Sequence, residues 1–181
     1  MATPSYVIRG GLEGRERLRV LARVMWPTTS ALFDRVGIAP DARCLDLGCG
    51  GGDLSVALAA RVPDGAVVGV DFDATKVELA TTEAAAAGVD NVTFRVEDVT
   101  TAPEPDDPFD VVYVRFLLTH LPDPAAALQH AIARLAPGGV LMVEDIDFRG
   151  HFCEPPSTAF DRYVDLYTAA GSGRCVRRNR T

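Results

Sequence analysis

The segment RCLDLGCGGGDLS, residues 43–55, constrains the fold of this chain more than any other feature of the sequence. A short apolar run leads directly into a glycine-rich loop, and residues of helical composition follow it. Glycines let the backbone turn sharply and let a ligand approach where a Cβ atom would collide, and here they occupy positions 48, 50, 51 and 52. The predicted local order is therefore strand, glycine loop and helix.

Four further segments are predicted to be strands, and helical segments separate most of them. The strands are predicted at residues 66–71, 91–98, 109–114 and 139–146. Helices are predicted over 74–87 behind an Asp73 cap, from Asp123-Pro124 to Pro137-Gly138-Gly139, and over 157–170. Strands that alternate with helices at this spacing predict a mainly parallel, doubly wound α/β sheet of about five strands with helices on both faces.

The N-terminal residues 1–38 are predicted to form a helical lid on this sheet. Apolar residues at helical spacing favour a helix over residues 12–25. Trp26-Pro27 is expected to end that helix, and a second short helix is expected to reach about Val36. The lid is thus predicted to be two helices.

Composition and charge exclude several classes of function. With 181 residues, 48% hydrophobic and 24% charged, the chain is expected to form one folded domain. Its longest uncharged stretches, 24–33 and 124–133, are ten residues each, whereas a membrane-spanning helix needs about 20. The N-terminus lacks the apolar core of a secretory signal, so a cytoplasmic location is expected. A net charge of −7 argues against a nucleic-acid binder.

The cysteines show no metal-binding or disulfide pattern. They lack C-x-x-C spacing and paired histidines, so no metal site is predicted and free thiols are expected at Cys44, Cys49, Cys153 and Cys175.

The predicted sheet limits where a ligand can bind. Ligands of doubly wound sheets lie beyond the carboxyl ends of the strands, so a ligand is expected to contact the loops 48–53, 71–73, 97–100 and 115–120. A dinucleotide fingerprint counted from Gly48 would need a third glycine where Asp53 stands. That carboxylate would repel a pyrophosphate at the helix N-terminus, so a cationic or neutral ligand is favoured over a nicotinamide dinucleotide.

Five motifs follow one another along the chain: LDLGCGGGDLS, VVGVDFD, FRVEDV, FDVVYVRFLLTHLPDP and LAPGGVLMVED. Together they resemble the class I S-adenosylmethionine-dependent methyltransferases, particularly those that act on small molecules. The resemblance covers about residues 40–147 and implies a Rossmann-like core at 39–147 that binds S-adenosylmethionine. It also implies methyl transfer to a small-molecule acceptor. The charge and the short uncharged stretches described above predict no nucleic-acid or membrane partner.

The resemblance assigns residues to the methionine end of the cofactor. Asp46 would hold the methionyl amine directly or through water, and Gly48 and Gly50 would line the methionine and ribose. Arg115 and its neighbour Val114 would face the methionine moiety or the substrate.

It also assigns residues to the nucleoside. Asp71 would accept hydrogen bonds from the ribose hydroxyls, and Phe72 would pack on adenine. Asp98 would bind the adenine amine and the Val99 amide a ring nitrogen. A net positive cofactor suits the acidic set of Asp46, Asp53, Asp71 and Asp98. The alternatives are that Asp71 is a turn residue, that Asp98 is solvated, and that Asp53 caps a helix, which is favoured over ligand contact.

Methyl transfer needs alignment of two reactants more than a fixed catalytic group. His120, in THLPD, is the candidate proton acceptor, and a hydrogen bond to nearby backbone is its alternative role. The acceptor would be selected largely by the lid, where Tyr6 and Trp26 are possible contacts. Core packing is an equally good prediction for Trp26.

The resemblance ends after residue 147. Proteins of this family normally close the sheet with two further strands, but residues 148–181 show no strand pattern and end in an arginine-rich tail. We therefore expect a truncated or altered end, an unpaired apolar edge at 140–146, and marginal stability or self-association through that edge. Two alternative functions are a non-catalytic S-adenosylmethionine-binding or truncated subunit and, less favoured, an NAD-dependent oxidoreductase.

Overall fold

The computed structural model describes residues 11–101, 107–147 and 150–171. Its strands are β1 (Arg43–Leu47), β2 (Ala66–Asp71), β3 (Val92–Val96), β4 (Phe109–Arg115) and β5 (Leu135–Glu144). Its helices are α1 (Gly11–Val36), α2 (Asp53–Ala59), α3 (Ala74–Ala86), α4 (Pro124–Ala133) and α5 (Thr158–Gly171). The 3₁₀ turn Leu118–His120 follows β4. The described helices include none that is long and apolar enough to cross a membrane.

The strands form one sheet in the order β3-β2-β1-β4-β5, and every neighbouring pair is parallel. This arrangement confirms the predicted doubly wound α/β fold. The chain moves outward from β1 to one side through β2 and β3, then crosses to β4 and β5 on the other side. The strand order therefore reverses at β1, and the crevice at its carboxyl end is the expected ligand site of such a sheet.

Two apolar clusters cover the two faces of the sheet. One joins α1 and α2 to the sheet through side chains such as Phe33 and Tyr113, whose rings meet edge to face at 5.2 Å. The other includes Leu45, Val112 and Ala131 of α4. Because both faces of β1 and β4 are covered, the carboxyl ends of these strands are held rigidly beneath the crevice.

The N-terminal helix differs from the prediction. Residues Gly11–Val36 form one helix that contains Pro27, so the predicted stop at Trp26-Pro27 is wrong. A proline inside a helix costs about 3 kcal/mol, because it removes a backbone hydrogen bond and crowds the preceding turn. Ala22 and Phe33 lie on either side of it and are both buried, so packing on the sheet outweighs the local preference.

The segment before β5 also differs. The predicted helix reached Pro137-Gly138-Gly139, but α4 ends at Ala133 and β5 already begins at Leu135. The ladder pairs Phe109 with Leu135 and then Val111 with Val140, so an irregularity absorbs the extra residues. Gly138 makes this possible because its φ of 85° is a left-handed conformation that glycine adopts without strain.

The other predicted boundaries lie within about two residues of the observed ones. The predicted caps at Asp73 and Asp123 are confirmed, since each side chain accepts hydrogen bonds from the first turn of its helix. In the described part of the chain β5 pairs with β4 alone and borders the sheet. Tyr6, Cys175 and the arginines after residue 171 lie outside the described residues.

Candidate functional site

A cavity opens at the carboxyl ends of β1, β2 and β4, where the crevice was expected. The glycine loop, the ends of these strands and the 3₁₀ turn form its walls, and Arg17, Leu18 and Leu21 of α1 close it from above. The predicted site residues that line it are Asp46, Gly48, Gly50, Asp71, Arg115 and His120. The structure thus brings together residues from positions 46 to 120 of the sequence.

The glycine loop is bent so that its backbone faces the cavity. Gly48, Gly50 and Gly52 have φ values of 75°, 56° and 79°, which residues other than glycine rarely adopt. The amides of Gly48 and Cys49 donate to the carbonyl of Val70 at 2.8 and 2.9 Å and fix the loop to β2. Gly48, Gly50 and Gly51 line the cavity, so a ligand there would contact this loop as well as the surrounding side chains.

Asp71, the last residue of β2, holds this loop from the other side. Its carboxylate accepts one hydrogen bond from the Gly50 amide and one from the Asp73 amide, both at 3.0 Å. The Lys76 ammonium lies 3.9 Å from the same carboxylate. Each carboxylate oxygen has a second lone-pair site, so Asp71 can still accept hydrogen bonds from a ligand hydroxyl.

Asp46, near the end of β1, is the deepest acidic group of the cavity. Burial raises its pKa to about 6, although the hydrogen bond from Ser55 and the charge of Arg115 act in the opposite direction. The Ser55 hydroxyl donates to it at 2.6 Å. The group therefore becomes anionic above about pH 6, and a cationic ligand would stabilise its charged form.

A polar cluster that the sequence analysis did not single out lies beside Asp46. The hydroxyls of Thr29 and Tyr113 both donate to the carboxylate of Glu144, Thr29 at 2.9 Å. The Arg115 guanidinium is 3.5 Å from the Thr29 hydroxyl. One sequence signal could have predicted this cluster. Side chains alternate between the two faces of a strand, and in β4 this alternation places the hydroxyl of Tyr113 on a buried face next to Asp46.

His120 ends the 3₁₀ turn in the cavity wall. Burial lowers its pKa below the ordinary 6.5, despite the opposing charge of Asp145. Its imidazole is consequently neutral at neutral pH and able to accept a proton.

Asp53 also borders the cavity, but the predicted cap role is wrong. The cap of α2 is Gly52, and no side chain caps that helix end. The Asp53 carboxylate instead binds Arg15 of α1 at 2.5 and 2.9 Å, and Arg15 also reaches Glu83 of α3 at 2.5 Å. Asp53 therefore adds little net negative charge to the cavity, although it was expected to contribute to the acidic field together with Asp46, Asp71 and Asp98.

The three residues predicted to bind adenine do not line the enclosed cavity. Phe72 directly follows β2 with 54% of its surface exposed, and the Lys76 ammonium lies 5.5 Å above its ring. Asp98 is exposed, and its carboxylate accepts from the Thr100 amide and hydroxyl at 2.9 and 2.7 Å. Val99 is partly buried against the second apolar cluster. These residues share the carboxyl edge of the sheet with Asp71.

The sheet order and the glycine loop agree with a family-level match. A family model described as a methyltransferase domain matches residues 38–169 of this chain. The chain belongs to the class I S-adenosylmethionine-dependent methyltransferases. The match continues past β5 and ends within α5, at residue 169, so it extends beyond residue 147, where the resemblance in sequence was expected to end.

Curated relatives and solved structures agree. Phosphoethanolamine N-methyltransferase 1 of Arabidopsis thaliana is 30% identical over an alignment of 160 residues that covers 83% of this chain and 30% of that protein. Demethylmenaquinone methyltransferase of Thermus thermophilus is 37% identical over 69% of this chain and 54% of its own length. The crystal structure of the YcgJ protein of Bacillus subtilis is 30% identical, with a TM-score of 0.57 over 63% of this chain and 48% of that one. The chain thus spans about a third to a half of the length of these curated relatives.

Proposed function

We propose that this chain binds S-adenosylmethionine in the cavity at the end of β1 and transfers its methyl group to a small-molecule acceptor. The observation that carries the proposal is the convergence of Asp46 and Asp71 on a loop of left-handed glycines. A buried carboxylate suits an ammonium, and a second carboxylate with lone pairs to spare suits a ribose diol. The residues present therefore fit this cofactor.

The proposed contacts of the methionine and ribose are as follows. Asp46 binds the methionyl ammonium, because a buried anion gains most from a cationic partner. Gly48 and Gly50 let the cofactor lie against the backbone, and Asp71 accepts hydrogen bonds from the ribose hydroxyls. Arg115 faces the methionine moiety or the acceptor from the end of β4.

For adenine we propose the exposed residues that follow β2 and β3. Phe72 packs on the ring, Asp98 accepts a hydrogen bond from the exocyclic amine, and the Val99 amide donates to a ring nitrogen. The exposure of Phe72 and Asp98 supports this role, since a ligand can reach both.

When bound, the cofactor would supply an electrophilic methyl carbon attached to a sulfonium, whose sulfur is a good leaving group as a neutral thioether. The protein then has to align the acceptor with that carbon and exclude water. We propose that α1, within residues 1–38, acts as the lid. The ion pairs of Arg15 with Asp53 and Glu83 hold this helix in place. Where the acceptor carries a proton, the neutral imidazole of His120 takes it up.

The acceptor is proposed to be a small molecule, and the names of the plant and Thermus relatives support this class. Self-association through β5 and a cytoplasmic location are further proposals that rest on the sequence. A second candidate function is non-catalytic binding of S-adenosylmethionine. It is favoured by the open edge of β5 within the described residues.

The test combines binding and turnover. Calorimetric titration with S-adenosylhomocysteine and with NADH should give a saturable signal for the first ligand alone. Incubation with methyl-labelled S-adenosylmethionine and a panel of amine, hydroxyl and quinol acceptors should transfer label to one of them. Binding without transfer to any acceptor would favour the second candidate, and binding of NADH alone would contradict both.

A further inference from the structure

We infer that Arg134, at the end of α4, is a positioning residue that sets the purine specificity of the cofactor site. It does so by bracing the segment Glu97–Val99 from the face of the sheet opposite α1. The inference rests on the proposed function, because it assigns adenine to Asp98 and Val99.

The brace is a two-pronged ion pair. The Arg134 Nη1 and Nη2 atoms lie 2.7 and 2.9 Å from the two carboxylate oxygens of Glu97. Arg134 is buried, with 7% of its surface exposed. Paired contacts of this kind fix the plane of both groups, so they restrain orientation as well as distance. Glu97 is directly adjacent to Asp98, and its own backbone amide donates to the Asp71 carbonyl at 3.0 Å.

A second residue of α4 holds the same segment. The His130 Nδ1 atom lies 3.3 Å from the carbonyl oxygen of Val99, one turn before Arg134. His130, Arg134, Glu97 and Val99 all border one small cavity beneath the loop. The backbone that carries Asp98 is therefore tied to α4 by polar contacts on both sides of that aspartate.

The energetics favour a role in specificity over one in stability. A buried ion pair loses solvation that its attraction barely restores, and apolar replacement of both partners is often neutral or stabilising. Here the Arg134 Nε atom is buried and has no hydrogen-bond partner in the described part of the chain, which adds to that cost. What the Arg134–Glu97 pair provides in return is a fixed position for the Asp98 carboxylate and the Val99 amide.

The decisive variant replaces both partners, Arg134→Met with Glu97→Met, so that no buried charge is left unpaired. Dissociation constants are measured by calorimetry for S-adenosylhomocysteine and for S-inosylhomocysteine, in which a carbonyl replaces the adenine amine. The natural protein should prefer adenine by roughly tenfold or more, the scale of one to two hydrogen bonds. The double variant should lose at least about fivefold of this preference while its melting temperature stays within a few degrees.

The control removes a more exposed ion pair elsewhere, Arg61→Met with Asp34→Met, whose groups lie 2.5 Å apart. It should keep the full preference. His130→Ala removes the contact with the Val99 carbonyl and leaves no buried charge unpaired, so it should also reduce the preference for adenine. This variant tests the inference if the double variant does not fold. Unchanged preference in the folded double variant, or in His130→Ala in that case, overturns the inference. Failure of the natural protein to bind S-adenosylhomocysteine instead overturns the proposed function.

Discussion

The Asp71 carboxylate accepts a hydrogen bond from the Gly50 amide at 3.0 Å, although 21 residues separate them in the sequence. This contact joins the end of β2 to the loop after β1, so the acidic group and the glycine loop form one rigid unit. The Asp73 amide binds the other oxygen of the same carboxylate. Loss of Asp71 should consequently affect both the shape of the loop and the binding of the cofactor.

Asp71→Ala is expected to weaken S-adenosylhomocysteine binding by roughly 1 to 3 kcal/mol, the scale of hydrogen bonds to a charged group. Calorimetry measures it. Asp73→Ala is the matched control, because Asp73 caps α3 through the amides of Thr75 and Lys76. The control should lower stability by about 1 kcal/mol and leave affinity nearly unchanged. Equal affinity losses in both variants would remove Asp71 from the ribose site.

Asp46→Asn is expected to stabilise the unliganded protein and to weaken its binding of the cofactor. Burial raises the Asp46 pKa from 3.8 to about 6, so the folded state binds the proton more tightly than the unfolded state. The protonated carboxyl favours folding below pH 3.8, and this contribution disappears as the pH rises to about 6. At pH 7 the variant should gain roughly 2 to 3 kcal/mol in free energy of unfolding, measured by urea denaturation without ligand.

The same group predicts the pH dependence of binding. Affinity of the natural protein for S-adenosylhomocysteine should fall by up to about tenfold for each pH unit below about 6, because Asp46 must lose one proton to bind the ammonium. The Asn variant should lack this dependence. An affinity of the natural protein that does not change between about pH 4.5 and 6, roughly the range in which this group titrates, would contradict the assignment.

The sequence predicts those elements whose signals are local. The bounds of β1 and β2 agree with the prediction to the residue, because both are short apolar runs closed by turn residues. Asp46, Asp71 and the glycine loop were expected together because the carboxyl ends of neighbouring parallel strands meet at one edge. The continuation of α1 through Pro27 could not be predicted, since it depends on the burial of Phe33 against the sheet.

Long-range side-chain contacts could not be predicted either. The Arg15 to Asp53 and Arg134 to Glu97 pairs join residues 38 and 37 positions apart, and neither has a periodic or spacing signal. Asp53 shows the consequence, because a carboxylate at the start of a helix has a strong local preference to cap it. Its pairing with a buried guanidinium from another helix overrides that preference.

If the ion pairs of Arg15 hold α1 over the cavity, their loss should speed the dissociation of a bound ligand. Burial lowers the pKa of Arg15, but its hydrogen bonds to Asp53 and Glu83 outweigh this effect, so the guanidinium stays charged. Arg15→Met should speed dissociation of S-adenosylhomocysteine roughly fivefold and accelerate amide hydrogen exchange in α1, a loss of about 1 kcal/mol. Stopped-flow displacement measures the rate.

The control for the effect of Arg15→Met on dissociation is Arg19→Met. Arg19 binds the same Glu83 from a position 44% exposed, where an ion pair contributes little. It should therefore change dissociation by less than about twofold. Equal dissociation rates for Arg15→Met and the natural protein would exclude α1 as a lid held by this residue.

His120→Asn tests the proposed proton acceptor. Once an acceptor is known, the variant should lower kcat by roughly 100-fold while its affinity for S-adenosylhomocysteine stays the same. The proposed activity of the natural protein should be lost only below the lowered pKa of His120, hence below pH 6.5, because the imidazole must be neutral to take up a proton. A variant with full kcat would leave the hydrogen-bonding role as the remaining explanation.

The outer edge of β5 predicts self-association of the 181-residue chain. Val140 and Val143 are 39% and 40% exposed on a strand that pairs on one side within the described residues. Unpaired backbone groups beside apolar side chains form a template for another strand, and a lysine on such an edge opposes pairing. Sedimentation velocity of the natural chain should show a concentration-dependent dimer, and Val143→Lys should shift it to monomer. Val24→Lys, which adds the same charge at a 67% exposed site on α1, should leave the dimer intact. A natural chain that stays monomeric at high concentration would show that this edge is protected by its own twist or flanking residues.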